Sequence, residues 1–271
     1  LAGAITLTKR DETIMRKHFV ETENVSRFYA ALKALEKRGA EECSLMVVDG
    51  APGLGKTTAL EWWATQNNLI FLRALKEWSP QWFLSDLLGK LRVSPQHSFQ
   101  KRYRQAIEAL TTRQYQADIA KKPFAIVVDE ADHISRNARI IETIRDFSDN
   151  TGLVFVLVGM GKIRDNLTAF PQVASRITRY VRFDPATRAD VRALADGLCE
   201  VPVADDVIGF VHQATGGFNR EIKEALAIVE RQGRRNGSAP GGAPVKLADL
   251  AGQVLINDRR TGAEIRVPGG L

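Results

Sequence analysis

The chain has 271 residues, 44% hydrophobic and 26% charged, a globular balance that excludes a disordered or collagen-like polymer and suits one large domain, or one domain with a lid. Thirty-eight Lys and Arg against 32 Asp and Glu leave a net charge of +6, which suits a polyanionic partner. The two cysteines, Cys43 and Cys199, have no metal-ligand spacing, so a disulfide framework and a structural zinc are excluded and a reducing, cytoplasmic compartment is expected. The apolar runs at 124–128 and 153–158 fall far short of the roughly 18 residues of a membrane span, so no membrane partner is expected. The chain opens on Leu1 rather than Met and carries no secretory signal, as expected of a trimmed start.

In chain order, residues 1–40 read as a helical lead-in, with Phe28, Leu32 and Leu35 at helical spacing until Gly39 breaks the pattern. Residues 44–49 (SLMVVD) have the continuous apolar run of a buried parallel strand. A glycine-rich stretch and a helix through 66 follow. Further strands are expected at 69–73, 124–128, 153–158 and 179–183, and helices at 80–91, 99–120 and 139–149. This alternation predicts an α/β fold over 41–184, a parallel sheet flanked by helices. Beyond Pro185 the strands stop, and helices at 187–198, 204–214 and 218–232 predict a small helical lid over 185–232. The sequence GRRNGSAPGGAP reads as a flexible linker, and a short helix near 245–256 and a basic, mobile tail are expected to complete residues 233–271.

Gly50, Ala51, Pro52, Gly53, Leu54, Gly55, Lys56 and Thr57 fit G-x-x-x-x-G-K-[ST] at every position, in the required strand–loop–helix context, with Thr58 following. Glycines let backbone N–H groups curl around phosphate oxygens, while the next helix aims its positive end at them. Lys56 is expected to reach the β- and γ-phosphates of ATP, and Thr57 to ligate Mg2+. The run FAIVVDE then brings Asp129 to a strand end as the second magnesium ligand, with Glu130 placed to activate water. Alone, an acidic pair after a strand reads better as a helix cap; a phosphate loop upstream reverses that preference. Asp129 to Asp132 spell DEAD, but one phosphate loop and too few residues for a second lobe rule out a two-lobed helicase.

The whole arrangement resembles the AAA+ superfamily of P-loop NTPases. The segments FVETENVSRF, GAPGLGKTT, VVDEADHI, VFVLVGM and ASRI resemble in particular the transposition ATPases of the phage Mu target-DNA activator and TnsC type, over about 19–232. The resemblance implies ATP-dependent oligomers, ring or filament, on double-stranded DNA that deliver it to a transposase. It implies an arginine finger just before the last strand, for which Arg176 is the candidate and Arg179 and Arg182 the rivals. It also implies a sensor arginine in the lid, matched by Arg220 in GGFNR, and basic DNA contacts after the second strand. Arg73 and Lys76, and further on Lys101, Arg102 and Arg104, are the candidates, with Trp78 and Trp82 packing against that loop. Trp62 and Trp63 are expected in the core. The end of the fourth strand, Val158 to Gly161, lacks the polar residue common in this superfamily, so slow hydrolysis is expected. His133 borders the pocket or serves the fold. Another AAA+ client, such as a helicase loader or a secretion-associated ATPase, and a small-molecule kinase are the competing readings.

Overall fold

A computed structural model describes residues 15–36 and 44–269. The expected lead-in over 1–14, Gly39 and Cys43 lie outside the described residues. Contacts divide the described residues into two units, one lying within 24–184 and one made of residues 15–23 with 185–269.

The first unit is a five-stranded parallel sheet. Its strands are β1 (Leu45–Asp49), β2 (Ile70–Arg73), β3 (Ala125–Asp129), β4 (Val154–Val158) and β5 (Ile177–Arg182), in the spatial order β2-β3-β4-β1-β5. Its helices are α1 (Glu23–Glu36), α2 (Lys56–Asn67), α3 (Pro80–Lys90), α4 (Phe99–Ile119), α5 (Ala138–Thr151) and two short ones, α6 (Ile163–Thr168) and α7 (Pro171–Ala174), absent from the sequence expectation. Helices of six and four residues are too brief for a periodic signal.

The apolar runs of the central strands serve both faces, since alternate side chains point to opposite sides. Leu45, Val47, Leu72, Ile126, Val128, Phe155 and Leu157 face one core, with Phe83, Leu87 and Leu110 of α3 and α4 and Phe147 of α5. Trp63 of α2 is buried and meets Phe28 of α1 edge-on at 5.3 Å, as expected of a core aromatic. Trp62, one residue away, is 41% exposed and so corrects the expectation that both serve the core; adjacent helical positions point about 100° apart. Ser79 caps α3 by accepting from Trp82 N at 3.2 Å, with Pro80 in the first turn.

The second unit packs α8 (Arg188–Leu198), α9 (Asp205–Thr215) and α10 (Asn219–Arg235) around Val191, Leu194, Val207, Val211, Ile222 and Leu226. Thr187 and Asp190 form a reciprocal capping box at α8. The tail departs from its expected form. Residues 247–250 make a single 3-10 turn, and β6 (Val254–Asn257) pairs antiparallel with β7 (Glu264–Arg266). Val245, Leu250, Leu255, Ile256 and Val267 are buried in the helical core. The apolar residues expected to line one helix are instead spread over the 3-10 turn, the hairpin and the segments beside them, and their burial holds the segment down. The polar, glycine-rich stretch before them masked that core contribution.

Candidate nucleotide-binding site

All the phosphate-loop residues lie between the end of β1 and the start of α2. Gly50 sits at φ +151°, and a Cβ there would lie 2.5 Å from the Phe183 carbonyl oxygen, so only glycine passes. Leu54 is buried and anchors the loop from beneath, while Thr57 and Thr58 open α2. Lys56 is buried among its own loop's carbonyls, Nζ donating to Gly50 O at 2.5 Å and Ala51 O at 2.9 Å. Burial lowers its ammonium from the usual lysine range, against the opposing pull of Asp49, Asp129 and Asp132. An ammonium short of solvent and bound, among the described residues, to neutral carbonyls is well placed to exchange them for phosphate oxygens.

The strand β3 delivers buried Asp129 beside this loop, where its Oδ2 accepts the Thr57 hydroxyl at 2.9 Å. A hydroxyl and a carboxylate converging in this way are the hard oxygen donors that Mg2+ prefers, with room left for water and phosphate oxygens. The residues therefore fit the ion. Glu130 follows at φ +55°, an uncommon conformation for a side-chain-bearing residue, which turns the chain sharply at the site. Its Oε2 meets His133 Nε2 at 3.3 Å, so His133 borders the acids.

Arg73 ends β2 directly beside Asp129 in the strand register. Its guanidinium lies 3.8 Å from Asp129 Oδ2 and 3.8 Å from Glu130 Oε1. A residue expected on DNA thus sits against the acids. Two carboxylates missed in the sequence also belong here. Asp49 Oδ1 accepts the N–H groups of Gly50, at 2.7 Å, and of Gly161. Asp132 Oδ2 accepts the Met160 N–H. Burial raises the Asp132 carboxyl above the usual range, and the negative charge of Asp49 adds to the rise, opposed by the Met160 N–H and by Lys56. The apolar strands ending in aspartate were visible; which backbone amides those carboxylates would meet was not.

Arg176 lies at the other edge. It immediately precedes β5, whose Ile177 pairs with Leu45 and whose Arg182 pairs with Asp49. Five strand steps at about 3.3 Å separate the two ends by about 16 Å, farther than an arginine side chain reaches. Arg176 grips Asp149 in a fork, at 2.9 Å and 3.2 Å. Arg220 is the second residue of α10, in the helical unit. Of the other basic candidates, Lys76, Lys101 and Arg104 are exposed. Arg102 instead ties α3 to α4, donating to Gln81 O at 3.2 Å, Ser85 Oγ at 3.0 Å and the Gln96 carbonyl. Trp78 is buried with Nε1 donating to Asp86 at 2.9 Å, and Trp82 is 43% exposed.

Parallel-sheet ligand sites form at the carboxyl ends of strands, where this loop and these acids meet. Residues 38–167 match the family model described as "AAA domain". In fold the chain is similar to Cdc6p from Pyrobaculum aerophilum, with a TM-score of 0.61 and 15% identity, covering 89% of this chain and 69% of that one. It is likewise similar to the ORC2 protein of Aeropyrum pernix, solved as ADPNP–ADP complexes, with a TM-score of 0.60 and 13% identity over 85% of this chain and 68% of that one. Residues 38–167 thus resemble an AAA domain, and the phosphate loop and acids of the sheet unit form a site suited to a nucleoside triphosphate.

In sequence the chain is similar to the ATP-dependent target DNA activator B of Escherichia phage Mu. The two are 25% identical over 195 residues, covering 66% of this chain and 55% of the activator. The aligned part thus spans about half of that relative's length. Among the described residues, no helix is long and apolar enough to cross a membrane.

Proposed function

We propose that this chain is an ATP-dependent, largely sequence-independent DNA-binding regulator of DNA transposition, which assembles with ATP and presents target DNA to a transposase. The observation that carries the reading is the union of the phosphate-loop and acid geometry with a sequence similar to a target DNA activator. Lys56 exchanges its loop carbonyls for β- and γ-phosphate oxygens, while the backbone amides of Gly53 to Thr57 surround them. Thr57 and Asp129 would hold Mg2+, which when bound offsets triphosphate charge. Glu130 takes a proton from water as its oxygen bonds to the γ-phosphorus and the bond to the β,γ-bridging oxygen breaks, leaving ADP and phosphate.

Arg176 is too far from its own loop, so its proposed place is the γ-phosphate held by a neighbouring copy. ATP then stabilises the oligomer because it binds that state better. Arg220 reads nucleotide state from the lid. Exposed Lys76, Lys101 and Arg104 neutralise backbone phosphates, a contact that needs no base sequence. Hydrolysis is slow and dismantles the assembly. The alternative client, a helicase loader, has only shared fold behind it.

Gel filtration with and without a non-hydrolysable ATP analogue, repeated with random-sequence duplex, tests the reading. Analogue-dependent oligomers that retain duplex in a salt-sensitive manner are expected. A chain that stays monomeric and releases DNA under saturating analogue would refute it.

A further inference from the structure

The fourth strand brings Val158, Gly159, Met160 and Gly161 to the phosphate end of the sheet, and none carries a side-chain hydroxyl, amide or acid. A polar group nevertheless occupies that point, supplied by the strand next door. Asp132, in the 3-10 turn (Ala131–His133) beyond β3, holds the Met160 N–H through Oδ2. Glycine at 159 makes the contact possible. A Cβ there would lie 2.6 Å from Asp132 Oδ2 and 2.7 Å from Ile163 Cβ, so any side chain displaces the carboxylate.

The turn that carries Asp132 is itself braced. Ser135 Oγ donates to the Asp132 carbonyl at 3.0 Å and accepts from Asn166 Nδ2 at 2.7 Å. The carboxylate is half-buried, and charge on Lys56 and Asp49 bears on it. The residue's own backbone N–H also bonds the carboxylate. A brace for one amide needs only a neutral acceptor, and asparagine would supply it without burying a charge. These two bonds leave acceptor sites free on a carboxylate, which has about four, so one beside the lysine proposed to grip the phosphates has capacity beyond bracing.

We propose that Asp132 is a positioning residue for ATP hydrolysis: Oδ2 fixes the turn after β4, and Oδ1 accepts a hydrogen bond from the attacking water beside Glu130. The assignment rests on the ATPase reading of the same site. The proton still passes to Glu130, and Asp132 gains none. Because it aligns water without gripping nucleotide, its contribution falls on turnover.

Asp132→Asn separates the two roles. Its carbonyl still accepts from Met160 N–H, but its other atom is a donor and cannot accept from water. D132N is expected to bind a fluorescent ATP analogue as the wild type does, melt at the same temperature and lose about tenfold in kcat at unchanged KM. Gly159→Ala displaces the carboxylate from outside the pocket and is expected to cost kcat similarly, with the double variant no worse than either single one. D132N turning over at the wild-type rate, or losing only KM or melting temperature, overturns the assignment while wild-type hydrolysis keeps the ATPase reading. A wild-type chain that binds nucleotide without hydrolysing it overturns both.

Discussion

Arg73 separates a nucleotide-site residue from a DNA contact by measurement. Arg73→Ala removes a positive charge 3.8 Å from Asp129 and 3.8 Å from Glu130. The guanidinium is 55% exposed, so the solvent-like limit applies, and each pair is worth about 1 kcal/mol from 332/(80 × 3.8). A cation at Asp129 competes with any metal there. R73A is therefore expected to lower the Mg2+ concentration needed for half-maximal ATPase activity by about fivefold, the equivalent of ~1 kcal/mol. A backbone phosphate contact predicts something else: each one lost reduces the slope of log affinity against log salt by about 0.9. Anisotropy of a random-sequence duplex, titrated with salt in the presence of a non-hydrolysable analogue, reads that slope. R73A should keep the wild-type value, whereas Lys76→Ala should lower it by about 0.9. A lowered slope for R73A, with the magnesium requirement unmoved, refutes the reasoning.

Three further outcomes follow from other parts of the chain. Lys56→Ala and Arg176→Ala should each abolish ATPase activity alone, yet a mixture should recover part of it, because intact loops then meet intact arginines in some interfaces; a mixture as inactive as its components argues against sharing between copies. Burial pushes the Cys199 thiol up to about 12, with Glu230 and Asp196 adding to the rise, so the thiol stays neutral throughout the physiological range. Mass spectrometry after iodoacetamide at pH 8 should find Cys199 unmodified in native protein and modified in denaturant, and rapid native labelling would contradict its burial. Leu255→Ala in the tail hairpin removes a side chain only 3% exposed and should cost about 2–4 kcal/mol, read as a lowered melting temperature of the helical unit; an unchanged transition would mean that the hairpin does not belong to that core.

The elements legible in the sequence were those whose signal is local. A strand buried on both faces must be apolar throughout, so the runs at β1, β3 and β4 announced themselves, and the helical pattern from Pro80 announced α3. The phosphate loop was legible for a stronger reason: its glycines answer to backbone geometry within a few residues. Partners distant in sequence left no such trace. Arg73 reads as one cation in a basic stretch until strand pairing sets it beside Asp129, and Arg102 reads as part of KRYR until the α3–α4 packing commits its guanidinium to Gln81 and Ser85. The tail misled because its apolar residues are sparse and follow a glycine-rich segment. Only the exposed core of the helical unit, which needed covering, explains why Leu250, Leu255 and Val267 fold inward.

Polarity of the sheet ties these pieces together. All five strands run parallel, so one edge collects every carboxyl end: the phosphate loop after β1, Arg73 after β2, the acids after β3 and the Met160 turn after β4. That edge can assemble a pocket from four separate stretches of chain without any loop crossing the sheet. The same rule expels Arg176, which precedes its strand and must lie at the amino edge. Asp149, at the end of α5, meets it there and holds the guanidinium in a fixed fork. Such an arginine is pre-organised, and part of the entropy of presenting it has already been lost in folding. Its partner is nevertheless a carboxylate, so delivering it to phosphate requires either breaking that fork or carrying Asp149 into the interface. Either way the exchange opposes assembly, and the tighter charge-assisted contact with a triphosphate must outweigh it. A diphosphate offers less charge at greater distance. On the proposed reading the fork with Asp149 then wins, so an oligomer built through this arginine would be stable with ATP and would fall apart after hydrolysis.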